Sequence, residues 1–205
     1  MVAVVLSVTS IVYDRFPGDL AIADGLQGFR PEIWAKTMVV ISAIGGALPM
    51  ALLSLGFIAL FWVRRCRAAC ITVAAGGLAT ISIPFLKLLI DRPRPSGDLI
   101  DVQQTFSGLG FPSGHALTAM ALFGLLFYLT PHITSRKRSI FLLRTVFASM
   151  ILLMGLSRVY LGAHWPSDVL GGFVFGALIV LLLVPLHQRL IHAPSLWVRD
   201  IKSQA

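Results

Sequence analysis

Residues 169–187 read VLGGFVFGALIVLLLVPLH, and no charged residue interrupts the run. A helix of that length is about 28 Å long at 1.5 Å per residue. That nearly matches the ~30 Å hydrocarbon thickness of a bilayer. Four more apolar segments lie upstream, at roughly 38–63, 68–90, 116–130 and 140–157. The 116–130 run reaches spanning length if His115 and the residues just before it join its first turn. The whole chain agrees: 57% of residues are hydrophobic, 13% are charged and mean hydropathy is +0.85. Soluble domains carry about 25% charged residues. A disordered chain, a collagen-like chain and an ordinary soluble enzyme are excluded. The expected fold class is an all-α polytopic transmembrane helix bundle of about six spans, with residues 1–205 as one domain.

The sixth span is the short one. Met1 to Tyr13 is apolar but too short to cross. It lacks the basic start and small-residue cleavage site of a signal peptide. It reads as the end of a truncated first transmembrane helix, or as one that spans imperfectly. Residues 14–36 mix polar and apolar side chains and read as an interfacial helix.

Charge gives the orientation. Arg64, Arg65 and Arg67 fill the gap after the 38–63 segment; Arg136, Lys137 and Arg138 precede the 140–157 segment, with Arg144 just inside. The tail carries Arg189, Arg199 and Lys202. These regions alternate correctly for one face, which the positive-inside rule makes cytoplasmic. Of the nine acidic residues only Asp200 shares that face. The net charge of +8 is therefore a topology signal, and no nucleic-acid partner is expected. Cys66 and Cys70 lie four apart in one helical stretch and cannot frame a disulfide scaffold. Gly45–Gly46, Gly76–Gly77 and Gly172-x-x-x-Gly176 point to close helix packing. Pro49 and Pro84 are candidate kinks.

Two stretches on the opposite face hold unusual polar residues: KLLIDRPRP at 87–95 followed by FPSGH at 111–115, and SRVYLGAHWPSD at 157–168. Lys87 lies inside an apolar segment, where a charge is costly and a candidate for function. It can equally snorkel to the interface or pair with Asp91 at i+4. Arg94 and Arg158 on one face can grip an anion in a bidentate manner. Arg92 competes with Arg94 for that role, and a lone arginine at this depth also serves as an interfacial anchor. Pro112-Ser113-Gly114-His115 stands directly before a helix, whose first amides are unpaired and attract anions. Ser113 adds a hydroxyl and Gly114 lets the backbone approach; an ordinary N-cap is the alternative, and the adjacent His115 at the same face as a basic cluster counts against it. His164 and Asp168 are spaced i, i+4, which puts both on one helical face. A carboxylate on one imidazole nitrogen fixes the tautomer and frees the other nitrogen to attack. His132, His187 and His192 fall near the basic regions and read as structural. Asp98 and Asp101 match no metal-ligand spacing with His115 and His164.

Taken together, these stretches resemble the type 2 phosphatidic acid phosphatase superfamily, whose soluble relatives include bacterial acid phosphatases and vanadium haloperoxidases. Its signature is Lys-x6-Arg-Pro, then Pro-Ser-Gly-His, then Ser-Arg-x5-His-x3-Asp. Lys87 with Arg94-Pro95, Pro112 to His115, and Ser157-Arg158 with His164 and Asp168 match it in order and spacing. The motifs cover residues 87–168; Arg92 is off the spacing. The resemblance implies that His164 is a nucleophile forming a phosphohistidine, that Asp168 orients it, and that His115 protonates the leaving oxygen. It implies that Lys87, Arg94, Ser113, Gly114 and Arg158 hold the phosphoryl oxygens. Such a cluster can replace a metal ion in stabilising phosphoryl transfer, so no metal or other cofactor is expected. The implied substrate is a lipid phosphate or diphosphate: phosphatidic acid, phosphatidylglycerophosphate or undecaprenyl diphosphate. The implied setting is an integral protein of the bacterial inner or plasma membrane, its site facing the extracytoplasmic side. A lipid or anion transporter that uses the cluster for binding alone is the competing class.

Overall fold

The computed structural model describes residues 1–103 and 108–192, and every regular element among them is helical. The helices are α1 (Val2–Val12), α2 (Asp19–Gln27), α3 (Glu32–Ile44), α4 (Ala47–Val63), α5 (Arg67–Ala79), α6 (Ile83–Ile90), α7 (Gly114–Ile133), α8 (Lys137–Tyr160) and α9 (Pro166–His192). A 3₁₀ turn, Thr80–Ser82, joins α5 to α6, and Pro84 starts the second piece at a position that needs no backbone donor.

Among the described residues, four stretches are long and apolar enough to cross a membrane: Arg67–Ile90, Gly114–Ile133, Lys137–Tyr160 and Pro166–His192. α7 does begin just before His115, which gives it the length the apolar run alone lacked. The segment at 38–63 is not one straight span. It divides into α3 and α4, bent by 64° at Gly45–Gly46. Pro49 cannot donate to the Gly45 carbonyl, which removes a bond a continuous helix would need. A Cβ at Gly45 would strike Met154 and would sit 2.6 Å from Cδ2 of His115. The bend therefore lets α3 press against the bundle where a side chain would block it. The interfacial helix read over 14–36 is also corrected. It resolves into α2 and the first turns of α3, parted by residues 28–31, and Asp19 in it is buried. α1 has 11 residues, about 16 Å of helix, and falls short of a span.

α7 is the central helix, with over half of its apolar window buried. Leu122, Leu126 and Leu129 pack into a core with Met50, Phe61, Val73, Phe147 and Met154. The outer faces carry Leu88, Leu89, Leu152, Leu181 and Leu182 exposed, as a lipid-facing surface requires. Lipid tails are as apolar as leucine, so helices in a bilayer are held by close packing. The α7–α9 seam supplies it through glycine. A Cβ at Gly172 would lie 2.6 Å from the Ser113 carbonyl oxygen, and one at Gly176 would lie 2.6 Å from that of Leu117.

The two ends of the bundle differ in charge. Nη1 of Arg64 donates to the Ile133 carbonyl at 2.6 Å, which draws the basic α4–α5 and α7–α8 corners together. Lys87, His115, Arg158 and Asp168 all lie toward the other end. Arg199, Asp200 and Lys202, read as part of the basic face, lie outside the described residues. His187 accepts or donates one hydrogen bond with Thr72 at 3.1 Å and packs edge-on against His132, a structural arrangement.

Replacing Gly176 with Val should cost about 1–3 kcal/mol through overpacking of this seam. Gly56, whose Cβ would meet nothing within 4 Å, should tolerate Ala without loss. Thermal unfolding midpoints in detergent separate the two; equal midpoints would contradict the packing account.

Candidate active site

Four helix ends and two connections build the site. α6 closes at Asp91, which takes a left-handed conformation (φ 50°) and turns the chain into the Arg92–Pro95 stretch. Lys87, one turn earlier, does not reach for Asp91. Its Nζ donates to the Leu109 carbonyl at 2.5 Å and lies 3.5 Å from that of Gly110. Arg94 donates from Nε to the Gly108 carbonyl at 3.0 Å and from Nη1 to the Ala163 carbonyl at 2.8 Å. The same Nη1 stands 3.1 Å from Nε2 of His164. Arg158, at the end of α8, is buried and donates from Nη1 to the Ser42 hydroxyl of α3.

Ser113 precedes α7 as its N-cap residue, but its hydroxyl makes no capping bond. That hydroxyl is fully buried and has no hydrogen-bond partner among the described residues. Its backbone N–H donates instead to the Asp168 carbonyl at 2.9 Å, joining the start of α7 to the start of α9. At Gly114 a Cβ would sit 3.5 Å from Ile83, so packing alone does not demand glycine there. His115, in the first turn of α7, is half-buried and close enough to Arg158, His164 and Arg94 to feel their charge.

His164 lies between α8 and α9 and is 2% exposed. Its Nδ1 stands 3.4 Å from Oδ2 of Asp168, at the long edge of hydrogen bonding. Oδ2 also accepts the Trp165 N–H at 3.0 Å. The tautomer follows from the neighbours. A guanidinium only donates, so Nε2 facing Arg94 must present its lone pair. The ring proton then sits on Nδ1, toward Asp168. Burial pushes the His164 imidazole well below the ordinary histidine range, and the Arg94, Lys87 and Arg158 cations push it the same way. The ring is therefore neutral near pH 7, with an electron pair aimed into a cationic pocket. Burial also lowers the Arg94 guanidinium, partly offset by Asp168.

The structure thus brings together Lys87, Arg94, Ser113, Gly114, His115, Arg158, His164 and Asp168 at one end of the bundle. Sequence reasoning set Arg92 aside and missed Asp19 and Ser42 entirely. Arg92 is buried and bridges Asp168 and Asp19 at 2.6 and 3.1 Å. The available signal was charge balance: a carboxylate in a dry site needs a cation, and Arg92 was the spare one. Nothing in the spacing of Asp19 or Ser42 gave them away. Among the described residues no group of three or more His, Cys, Asp or Glu gathers as a metal site.

The chain has known relatives. The PAP2 superfamily model matches residues 65–192, more than half of the chain. Phosphatidylglycerophosphatase B of Bacillus subtilis (strain 168) is 31% identical over 128 residues, 60% of either chain. Decaprenylphosphoryl-5-phosphoribose phosphatase of Mycobacterium tuberculosis (strain ATCC 25618 / H37Rv) is 36% identical over 179 residues, 86% of this chain and 84% of that one. The crystal structure of a transmembrane PAP2 type phosphatidylglycerolphosphate phosphatase from Bacillus subtilis superposes with a TM-score of 0.77 at 23% identity, covering 91% of this chain and 94% of that one. Aquifex aeolicus LpxE gives 0.65 at 22% identity, covering 83% and 96%. Fold, motif spacing and relatives agree, and the chain belongs to the PAP2 superfamily.

Proposed function

We propose that the chain is an integral-membrane lipid phosphatase that works through a phosphohistidine on His164. The observation that carries this reading is the orientation of His164: Nδ1 toward Asp168 and the Nε2 lone pair toward Arg94. Binding alone requires cations. It does not require a neutral imidazole backed by a carboxylate, so transport is the weaker reading.

In the proposed reaction the substrate phosphoryl group sits among Lys87, Arg94, Arg158, the Ser113 hydroxyl and the first amides of α7, including that of Gly114. These donors face the equatorial oxygens, where charge spreads in the transition state. Nε2 of His164 forms the bond to phosphorus as the bond to the leaving oxygen breaks. Asp168 stabilises the positive charge that develops on the ring. His115 gives its proton to the leaving oxygen, then takes one from the water that cleaves the phosphorus–nitrogen bond. The chain's own cations stabilise the charge, so no metal enters a step.

An apolar cavity of about 790 Å³ supports an amphiphilic substrate. It runs along α4, α5 and α6 past Ala51, Leu55, Ala74 and Ile81 and reaches Gly114 and His115. A headgroup in the cationic cluster leaves its tail beside this cavity. The substrate class is a lipid phosphate or diphosphate: phosphatidic acid, phosphatidylglycerophosphate or undecaprenyl diphosphate. Relatives named for phosphatidylglycerophosphate and decaprenylphosphoryl substrates favour that class. The basic corners at the opposite end of the bundle favour a site on the extracytoplasmic side of a bacterial inner or plasma membrane.

A phosphate-release panel over these lipids, run in detergent with EDTA throughout, tests the reading. The wild type should turn over at least one lipid. His164→Ala should lose at least about 10³-fold in kcat with its fold retained. Substantial turnover by His164→Ala, or none by the wild type unless Mg²⁺ is added, would contradict it.

The pH profile provides an independent check. Only the neutral His164 imidazole can attack, and burial beside three cations holds its pKa well below the ordinary histidine value of 6.5. Lowering the pH through 6.5 should therefore leave the nucleophile unprotonated. The kcat/KM limb that reports its protonation should fall below that value; a limb centred there or higher would contradict the electrostatics.

A further inference from the structure

Arg92 is off the family spacing, yet its side chain is completely buried. A guanidinium in a dry interior is costly unless every donor is answered. Here Nη1 donates to Oδ1 of Asp168 at 2.6 Å and to the Ser167 hydroxyl at 2.8 Å. Nη2 donates to Oδ2 of Asp19 at 3.1 Å, and Nε to the Asp14 carbonyl at 3.0 Å. The Phe16 ring lies 5.0 Å from the guanidinium carbon. Asp19 is equally engaged. Its Oδ1 accepts the Ser167 N–H at 2.9 Å; its Oδ2 accepts the Ser167 hydroxyl at 2.6 Å and the Phe16 N–H at 2.7 Å. Asp19 lies upstream of the residues 65–192 that match the family model.

We infer that Arg92 and Asp19 are a positioning pair for His164: they hold Asp168 with Oδ1 toward the guanidinium and Oδ2 toward the His164 Nδ1–H. The inference rests on the phosphatase reading above and extends the working site to the segment before α3.

Competition between charges explains why two residues are needed. Asp168 faces Arg92, His164, Lys87 and Arg94, and Asp19 stands across the Arg92 guanidinium. Without Arg92, the Asp168 carboxylate turns toward Lys87 and Arg94, away from His164, and draws those cations from the phosphate. Without the Asp19 charge, the whole of Arg92 acts on Asp168 and weakens its hold on the imidazole proton. At 3.4 Å that contact is already long, so its orientation governs it. Asp19 also takes the first free amide of α9 through Ser167, which fixes the helix turn that carries Asp168.

The test uses the full chain in detergent with phosphatidic acid, phosphatidylglycerophosphate and undecaprenyl diphosphate as substrates. Wild type, Asp19→Asn, Arg92→Lys, Arg92→Gln and the Asp19→Asn/Arg92→Gln double variant are compared in kcat, KM and unfolding midpoint. Asp19→Asn keeps the side-chain shape and should lower kcat about 10- to 100-fold with KM little changed. Arg92→Gln should lose more, Arg92→Lys should recover part of the loss, and the double variant should be no worse than Arg92→Gln. Wild-type kcat in Asp19→Asn, a loss confined to KM, or losses that multiply in the double variant would overturn the pair. Should Arg92→Gln fail to fold, Asp19→Asn and Arg92→Lys decide on the same kcat criterion. A wild type that releases phosphate from none of the three lipids would overturn the phosphatase reading itself; an active wild type beside a fully active Asp19→Asn would overturn only the pair.

Discussion

Like charges crowded together repel, and the site of this protein keeps three of them, Lys87, Arg94 and Arg158, within reach of one histidine. Among the described residues, these three and Arg92 share two carboxylates in the same cluster, Asp19 and Asp168. Backbone carbonyls of Gly108, Leu109 and Ala163 hold part of that charge in place. The excess is positive and complements an anion. Burial, and then the same field, keep His164 neutral, because a further proton there would be poorly solvated and would add to the repulsion. One buried cluster of charges thus serves both the proposed binding of a phosphoryl group and a free imidazole electron pair.

Such a cluster persists only on a rigid frame. The frame is helix packing without side chains in the way. Gly172 and Gly176 let α9 close on α7, and the Ser113 carbonyl lies against the first of them. The Ser113 N–H then reaches Asp168 across the same seam. Gly45 lets the bend between α3 and α4 press on His115, while Ser42 takes the Arg158 guanidinium. Each contact ties a charged residue to a different helix, so a displacement of any one helix disturbs the balance of all of them.

Four of the six expected spans, and the gathering of the motif residues at one end of the bundle, were legible in the sequence for separate reasons. Bilayer thickness imposes a length on apolar runs, which 169–187 and 68–90 display directly. The three motifs stand at helix ends, where local spacing survives folding: His164 and Asp168 are four apart and meet, and the amides before His115 do open α7. The break at Gly45–Gly46 was only partly legible: Pro49 marked a candidate kink, but an apolar run looks continuous whether or not the helix bends. The close approach of Met154 and His115 that demands glycine at 45 was hidden, because those partners lie far along the chain. The Asp19–Arg92 pair was hidden for the same reason. Partners 73 residues apart leave no periodicity, and Asp19 sits in a stretch whose mixed polarity resembled a surface helix.

The proposed central event is transfer of phosphorus to Nε2 of His164, and the most direct measurement is to catch it there. A rapid-quench reaction with lipid labelled in its phosphoryl group, stopped in alkali and digested, locates any phosphorus held by the protein. The account predicts an acid-labile, alkali-stable label on the peptide that contains His164, formed no slower than phosphate release. Label on another residue, or phosphate release at full rate with no labelled protein at any time, would contradict it.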